Sequence, residues 1–233
     1  MLNVSKIKAI TLDLDDTLWP VEPTIARAEQ ALADWLVQHA PTTASLLQDG
    51  AMRNQLRMAV NAAHPEAAHD FSALRLAYLL RALTHAGDDP ALAHPAFEVF
   101  FAARQRVDLY PDALAALAAL AARFPVVAVS NGNADVHKVG LGDFFVGSVS
   151  AQSVGVAKPH MVIFHAAARS VQCAPDEVLH VGDDAQLDVL GALDAGMQAA
   201  WVNRDAKVWA HAQNPHLSIS DMSQLCAALG LRV

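Results

Sequence analysis

Hydrophobic positions along the chain fall into two regimes. Near the start, residues 7–14 (IKAITLDL) form a short apolar run, rich in β-branched and aliphatic side chains, that ends on acids. Similar runs return only in the second half, at residues 125–130 (PVVAVS), 146–150, 177–182 (EVLHVG) and 198–202 (QAAWV). Short, nearly continuous apolar runs separated by helical patterns predict βαβ units and a mainly parallel sheet covered on both faces. Residues 20–108 carry no such run. There the apolar side chains recur with a 3.6-residue period: Pro23 suits a first helical turn, and Ile25, Ala28, Leu32, Trp35 and Leu36 share one face. Residues 46–63, 71–86 and 91–106 repeat the pattern, with Pro41, Pro65, Gly87 and Pro90 as punctuation. The simplest packing is a lobe of four helices. After Pro111, an alanine-rich helix (DALAALAALAAR) is expected to bury Leu114, Leu117 and Leu120.

These elements predict an α/β core, residues 1–17 and 109–233, interrupted by a helical cap over residues 18–108. A lobe inserted at the carboxyl end of a strand is expected to stand over the place where open α/β sheets bind ligands.

Four short stretches carry candidate chemistry. In "LDLDDT", Asp13, Asp15 and Asp16 crowd the end of the first predicted strand. Alternation along a strand starts Asp13 and Asp15 on the same side, where one carboxylate can act as nucleophile and the other can give and take protons. A helix cap would use the same residue types but needs only one carboxylate. After the run PVVAV, Ser130, Asn131 and Gly132 offer a hydroxyl and successive N–H groups to phosphate oxygens, or form a plain Asn-Gly turn. Lys158, before Pro159, is either a surface lysine or the mouth of a helix where its ammonium neutralises a charged centre. In "HVGDDAQLD", Asp183, Asp184 and Asp188 suit an octahedral Mg²⁺ site, and capping explains one of them more readily than three. Each stretch follows a predicted strand or opens a helix, so all four converge on one sheet edge.

Composition narrows the partners. The chain has 233 residues, of which 54% are hydrophobic and 17% charged, enough to bury a full core. Its net charge is −8 and its lysines and arginines do not cluster, which argues against nucleic acid and anionic membranes. The longest apolar stretch, residues 113–122, is about half the roughly 20 residues of a membrane span. Lys6 and Lys8 precede an apolar run that meets Asp13 too soon for a secretion signal. Two cysteines, Cys173 and Cys226, suit reduced thiols in the cytoplasm.

In order, Asp13-Leu14-Asp15-Asp16-Thr17, Ser130, Lys158 and Gly182-Asp183 with Asp188 resemble the four motifs of the haloacid dehalogenase superfamily. The resemblance implies a Rossmann-like core with an inserted helical cap of the four-helix type. It makes Asp13 the nucleophile and Asp15 the general acid/base. Ser130, the Asn131 backbone and Gly132 would bind the substrate phosphate with support from Thr17, and Lys158 would stabilise the charged centre. Mg²⁺ would sit on Asp13, Asp15 (through its carbonyl) and Asp183, with Asp188 in direct or indirect support. Dehalogenases of the superfamily lack a carboxylate two residues after the nucleophile and use no Mg²⁺, so Asp15 favours a phosphatase. The stretches "VSNGNADVHKVGLGDFF", "LHVGDDAQLDVLGA" and "AGMQAAWVNR" are further similar to bacterial members acting on flavin mononucleotide and on 5-amino-6-(5-phospho-D-ribitylamino)uracil. Trp19-Pro20 is shared instead with a capless group, against which the long insertion speaks. The expectation is a Mg²⁺-dependent phosphatase of a small phosphorylated metabolite, as a monomer or homodimer. A phosphomutase and a dehalogenase-like hydrolase are the alternatives. His69, Asp70, Arg75, Arg104 and Arg106 are candidate cap contacts to substrate, or else a cap residue and arginines on a solvated face. Trp19 is a candidate stacking platform or hinge packing.

Overall fold

The computed structural model describes residues 1–232. The chain opens with β1 (Ala9–Leu12), every residue of which is buried. Five helices follow: α1 (Val21–His39), α2 (Pro41–Leu46), α3 (Gly50–Ala63), α4 (Phe71–Ala86) and α5 (Ala93–Arg104). The second half alternates strands and helices: α6 (Ala113–Ala121), β2 (Val126–Ser130), β3 (Gly147–Ser150), α7 (Ala151–Val154), α8 (Met161–Ser170), β4 (Val178–Gly182), α9 (Gly191–Asp194), β5 (Gln198–Val202), β6 (Leu217–Ile219) and α10 (Met222–Ala228). A π-helical turn, Ala185–Leu190, runs directly into α9.

The chain divides into two compact units, Met1–Pro20 with Asp108–Val233, and Val21–Val107. In the first, all six strands are parallel in the order β3-β2-β1-β4-β5-β6. This is the doubly wound order, in which the sheet's direction of growth reverses beside the first strand and a crevice opens at the strands' carboxyl ends. Asp13 follows β1, Ser130 ends β2 and Asp183 follows β4, so three of the four motifs reach that crevice from neighbouring strands. One face of the sheet buries Val127, Val129 and Ala199 against Ile163, Phe164 and Ala167 of α8. Just after β5, Arg204 pairs with Asp112 at 2.9 and 3.0 Å, lies over the Tyr110 ring and donates to the Thr17 carbonyl.

The second unit is helical and has its own core, in which Ala28, Leu32 and Leu36 of α1 meet Leu56 and Val60 of α3, Leu79 and Leu83 of α4, and Phe100 of α5. Here the structure adds a short helix to the expected four. Residues 46–63 do not form one helix, because Asp49 accepts the Ala51 N–H and starts α3 afresh. Asp70 caps α4 by accepting from Ala73, and Arg75 pairs with Glu29 at 2.7 Å and covers Phe100. Arg104 is buried at the end of α5, so the solvated-face reading fails for it. In α6 the buried positions are Ala113, Ala116, Leu117 and Leu120, whereas Leu114 is 49% exposed. Steps of three residues drift about 60° each around a helix, so position 114 falls about 120° from position 120 and lies at the edge of the face that Ala113, Ala116, Leu117 and Leu120 bury.

Candidate active site

The acidic run forms a tight turn at the end of β1. Asp16 adopts a left-handed conformation (φ 58°), its N–H donates to the Trp19 carbonyl, and the Trp19 indole Nε1 donates to Asp15 Oδ1 at 2.8 Å. Trp19 is fully buried, which removes the stacking-platform reading and makes it a partner of Asp15. Asp13 points into the protein. Its Oδ1 accepts from Lys158 Nζ at 2.5 Å, and its Oδ2 lies 3.2 Å from Thr17 Oγ1. The same hydroxyl is 3.2 Å from Asp183 Oδ1. Thr17 thus bridges the acids that end β1 and β4, and its single proton serves one of them at a time.

Lys158 is buried, and its ammonium is shared between Asp13 Oδ1 and Asp188 Oδ1, the latter at 2.6 Å. Asn131 holds the Lys158 backbone: its Oδ1 accepts the Lys158 N–H at 2.7 Å and its Nδ2 donates to the Lys158 carbonyl at 3.0 Å. The Lys158-Pro159 peptide is cis, and α8 begins three residues past Lys158, at Met161. At the end of β2, Ser130 Oγ accepts the Gly132 N–H at 2.9 Å.

The capping reading of the last acidic stretch falls to one residue. Asp184 accepts from the N–H groups of Gln186 and Leu187 and caps the π turn. Asp183 is left facing Thr17, while its carbonyl is held by Trp201 Nε1 at 2.8 Å. The π turn swings Asp188 back over the end of β4, a use of such turns common at functional sites. Gly182 makes that approach possible, since a Cβ there would lie 2.3 Å from Asp188 Cγ.

The electrostatics of this group are lopsided. Burial would pull the Lys158 ammonium down, but Asp13 and Asp188 outweigh it and hold the lysine charged well above its usual range. Burial likewise works against an ionised Asp188, yet Lys158 and His180 bring it down to about 2. Asp13 is pushed well above the usual carboxylate range by burial, with Asp188 and Asp183 adding to the push and Lys158 only partly opposing it. Burial, Asp188 and Asp16 raise Asp183 to about 7. Two of these three carboxylates therefore share one ammonium, and Asp183 has none in contact. Asp13, Asp183 and Asp188 bring oxygen atoms within 4.8 Å of one another, and a hard, oxygen-seeking divalent cation fits that donor set and its unmet negative charge.

Sequence reasoning picked out Asp13, Thr17, Lys158, Asp183 and Asp188, and the structure gathers all five; Asp15 lies in the adjoining turn. It missed the Asn131 side chain as the lysine's clamp, Trp201, and His180, which lies 3.0 Å from Asp188. The one available signal for His180 was an imidazole in the otherwise apolar run EVLHVG.

Residues 7–196 match the haloacid dehalogenase-like hydrolase family, and the chain belongs to it. Among its relatives is the 5-amino-6-(5-phospho-D-ribitylamino)uracil phosphatase YigB of Escherichia coli (strain K12), 35% identical over 97% of this chain and 98% of that protein. A phosphoserine phosphatase of Thermus thermophilus is 35% identical over 64% of this chain and 63% of its own length. The crystal structure of a 2-haloacid dehalogenase from Pseudomonas syringae pv. Tomato DC3000 superposes with a TM-score of 0.91 at 37% identity, covering 96% of this chain and 98% of that one.

Proposed function

We propose that this chain, a phosphoric monoester hydrolase of the haloacid dehalogenase-like family, uses Asp13 as nucleophile and Asp15 as general acid/base, with Mg²⁺ at the acidic cluster. The carrying observation is Lys158, a buried ammonium held between Asp13 and Asp188; the turn after β1 sets a second carboxylate, Asp15, two residues after Asp13. Asp13 attacks phosphorus, the bond to the leaving oxygen breaks, and Asp15 protonates that oxygen. Water then attacks the aspartyl-phosphate after giving its proton to Asp15, which releases inorganic phosphate and restores Asp13. The Ser130 hydroxyl and the Asn131 backbone are the proposed phosphate contacts. Thr17 and Gly132 are engaged with Asp13, Asp183 and Ser130, which suits ordering those groups.

Asp13, Asp183 and the Asp15 carbonyl would hold the cation, with Asp188 in direct or indirect support. When bound, it would neutralise charge on the transferring phosphoryl group. The substrate we propose is flavin mononucleotide or a riboflavin-pathway phosphate, supported by the near full-length likeness to YigB. Cytoplasmic placement is supported by the two unpaired cysteines, and no helix among the described residues is long and apolar enough to cross a membrane.

Phosphate release from a panel of phosphorylated metabolites, with and without Mg²⁺, tests this reading. Mg²⁺-dependent release, led by the flavin-pathway compounds and abolished in Asp13→Asn, is expected. Release led by other compounds would discard the flavin assignment, and substantial turnover by Asp13→Asn would discard the nucleophile. The likeness to the Pseudomonas protein named a dehalogenase favours one second reading. Halide release from 2-haloacids without added metal, in place of phosphate release, would establish it.

A further inference from the structure

Asp188 is held by three groups, and one of them has no part in the chemistry above. Its Oδ1 accepts from Lys158 Nζ at 2.6 Å and also lies 3.0 Å from His180 Nε2; its Oδ2 accepts the Asp184 N–H at 3.1 Å. Gly182 leaves the space in which the carboxylate sits. His180 is fully buried in β4, two residues before Gly182. Its Nδ1 lies 2.9 Å from Thr11 Oγ1, and Thr11 is its register partner on β1. The imidazole and the Phe164 ring meet in a T, centroids 4.9 Å apart at 87°. The imidazole therefore has a partner at each nitrogen and an aromatic wall.

We infer that His180 is a positioning residue: an imidazole, held by Thr11, whose Nε2 donates to Asp188 and locks that carboxylate so that Lys158 stays between Asp188 and Asp13. The direction of the hydrogen bonds follows from the chemistry of the groups. An ionised carboxylate only accepts, so Nε2 must donate to Asp188. In a neutral ring Nδ1 then accepts, and the Thr11 hydroxyl supplies that proton. Lys158 meets Asp13 and Asp188 through freely rotating N–H bonds and does not by itself choose an orientation for either carboxylate. The His180 bond, set by a ring that Thr11 and Phe164 hold in place, does. Without it Asp188 keeps its ammonium and its backbone donor at Oδ2 but loses the rigid donor at Oδ1, and Lys158 is held less tightly in one geometry toward Asp13.

The inference rests on the reading of Asp13 and Lys158 as reacting groups, and its test has one arm that does not. Long-range ¹H–¹⁵N spectra of the whole enzyme report which ring nitrogen carries the proton. A proton on Nε2 is expected, and protonation at Nδ1 alone would overturn the assignment whether or not the enzyme turns over any phosphate ester. The kinetic arm compares His180→Leu, which keeps bulk without a donor, with His180→Gln, whose amide N–H₂ takes the place of Nε2. For folded variants, His180→Leu should lose roughly 10- to 100-fold in kcat with KM little changed, and His180→Gln should regain most of it. Thr11→Val should cost less than His180→Leu, and should add nothing in the double variant with His180→Leu. Wild-type kcat in His180→Leu, or a His180→Gln no better than His180→Leu, would overturn the inference. If His180→Leu does not fold, the His180→Gln kinetics and the ring spectrum still decide it. An inactive wild type would count against the phosphatase reading, and the spectrum would then decide the placement of His180 alone.

Discussion

Asp183 illustrates how a side chain of ordinary type acquires a function from its surroundings. Burial and the neighbouring Asp188 and Asp16 raise its carboxyl to about 7, so in the cation-free enzyme it is half protonated near neutrality. A cation binds the ionised form and must displace that proton. Below pH 7 the apparent affinity for Mg²⁺ should therefore fall by at least about tenfold per pH unit, since the raised Asp13 carboxyl must also give up its proton. Mg²⁺ titrations of the enzyme at a series of pH values check this; an affinity independent of pH between 5 and 7 would contradict it. At this scale the sequence was readable where a residue type is rare in its context. Three acids at the end of one strand, and three more after another, resist explanation by capping, and the structure assigns capping to Asp184 alone among the second group. The Asn131 clamp on Lys158 and the Thr11–His180 pair were not readable, because both join positions far apart in sequence through strand register and loop path.

The elements follow the hydrophobic pattern closely where that pattern is long. Four of the five expected strands are shorter than expected and β5 matches at both ends, while α4 runs over the same residues as its pattern. β6 was missed because three residues among histidine, asparagine and proline carry no period. The break between α2 and α3 depends on one cap, Asp49, inside an uninterrupted helical pattern. In α6 the repeated Ala-Leu text matched more than one face, and burial chose Ala113, Ala116, Leu117 and Leu120. Leu117→Ala should accordingly cost about 2–5 kcal/mol, while Leu114→Ala, at a position 49% exposed, should change stability by no more than about 0.5 kcal/mol. Denaturant unfolding of the two variants separates these faces, and equal losses would contradict the assignment.

Across the whole molecule, topology does what no single motif can. A strand order of β3-β2-β1-β4-β5-β6 sets the ends of β1, β2 and β4 side by side, which brings Asp13, Ser130 and Asp183 together from positions far apart in sequence. The second unit closes its own core around Leu32, Leu36, Leu79, Leu83 and Phe100, so the sheet was free to accept a long insertion between β1 and β2 without losing its order. Family membership and the phosphatase relatives define the class of reaction, and the proposed path of that reaction runs through Asp13. The most direct measurement is mass spectrometry of enzyme quenched in acid during turnover of a phosphate ester with Mg²⁺. A phosphoryl group on the peptide that contains Asp13, absent from Asp13→Asn, is the predicted result. A phosphoryl group on any other residue would contradict the account, as would sustained phosphate release by Asp13→Asn.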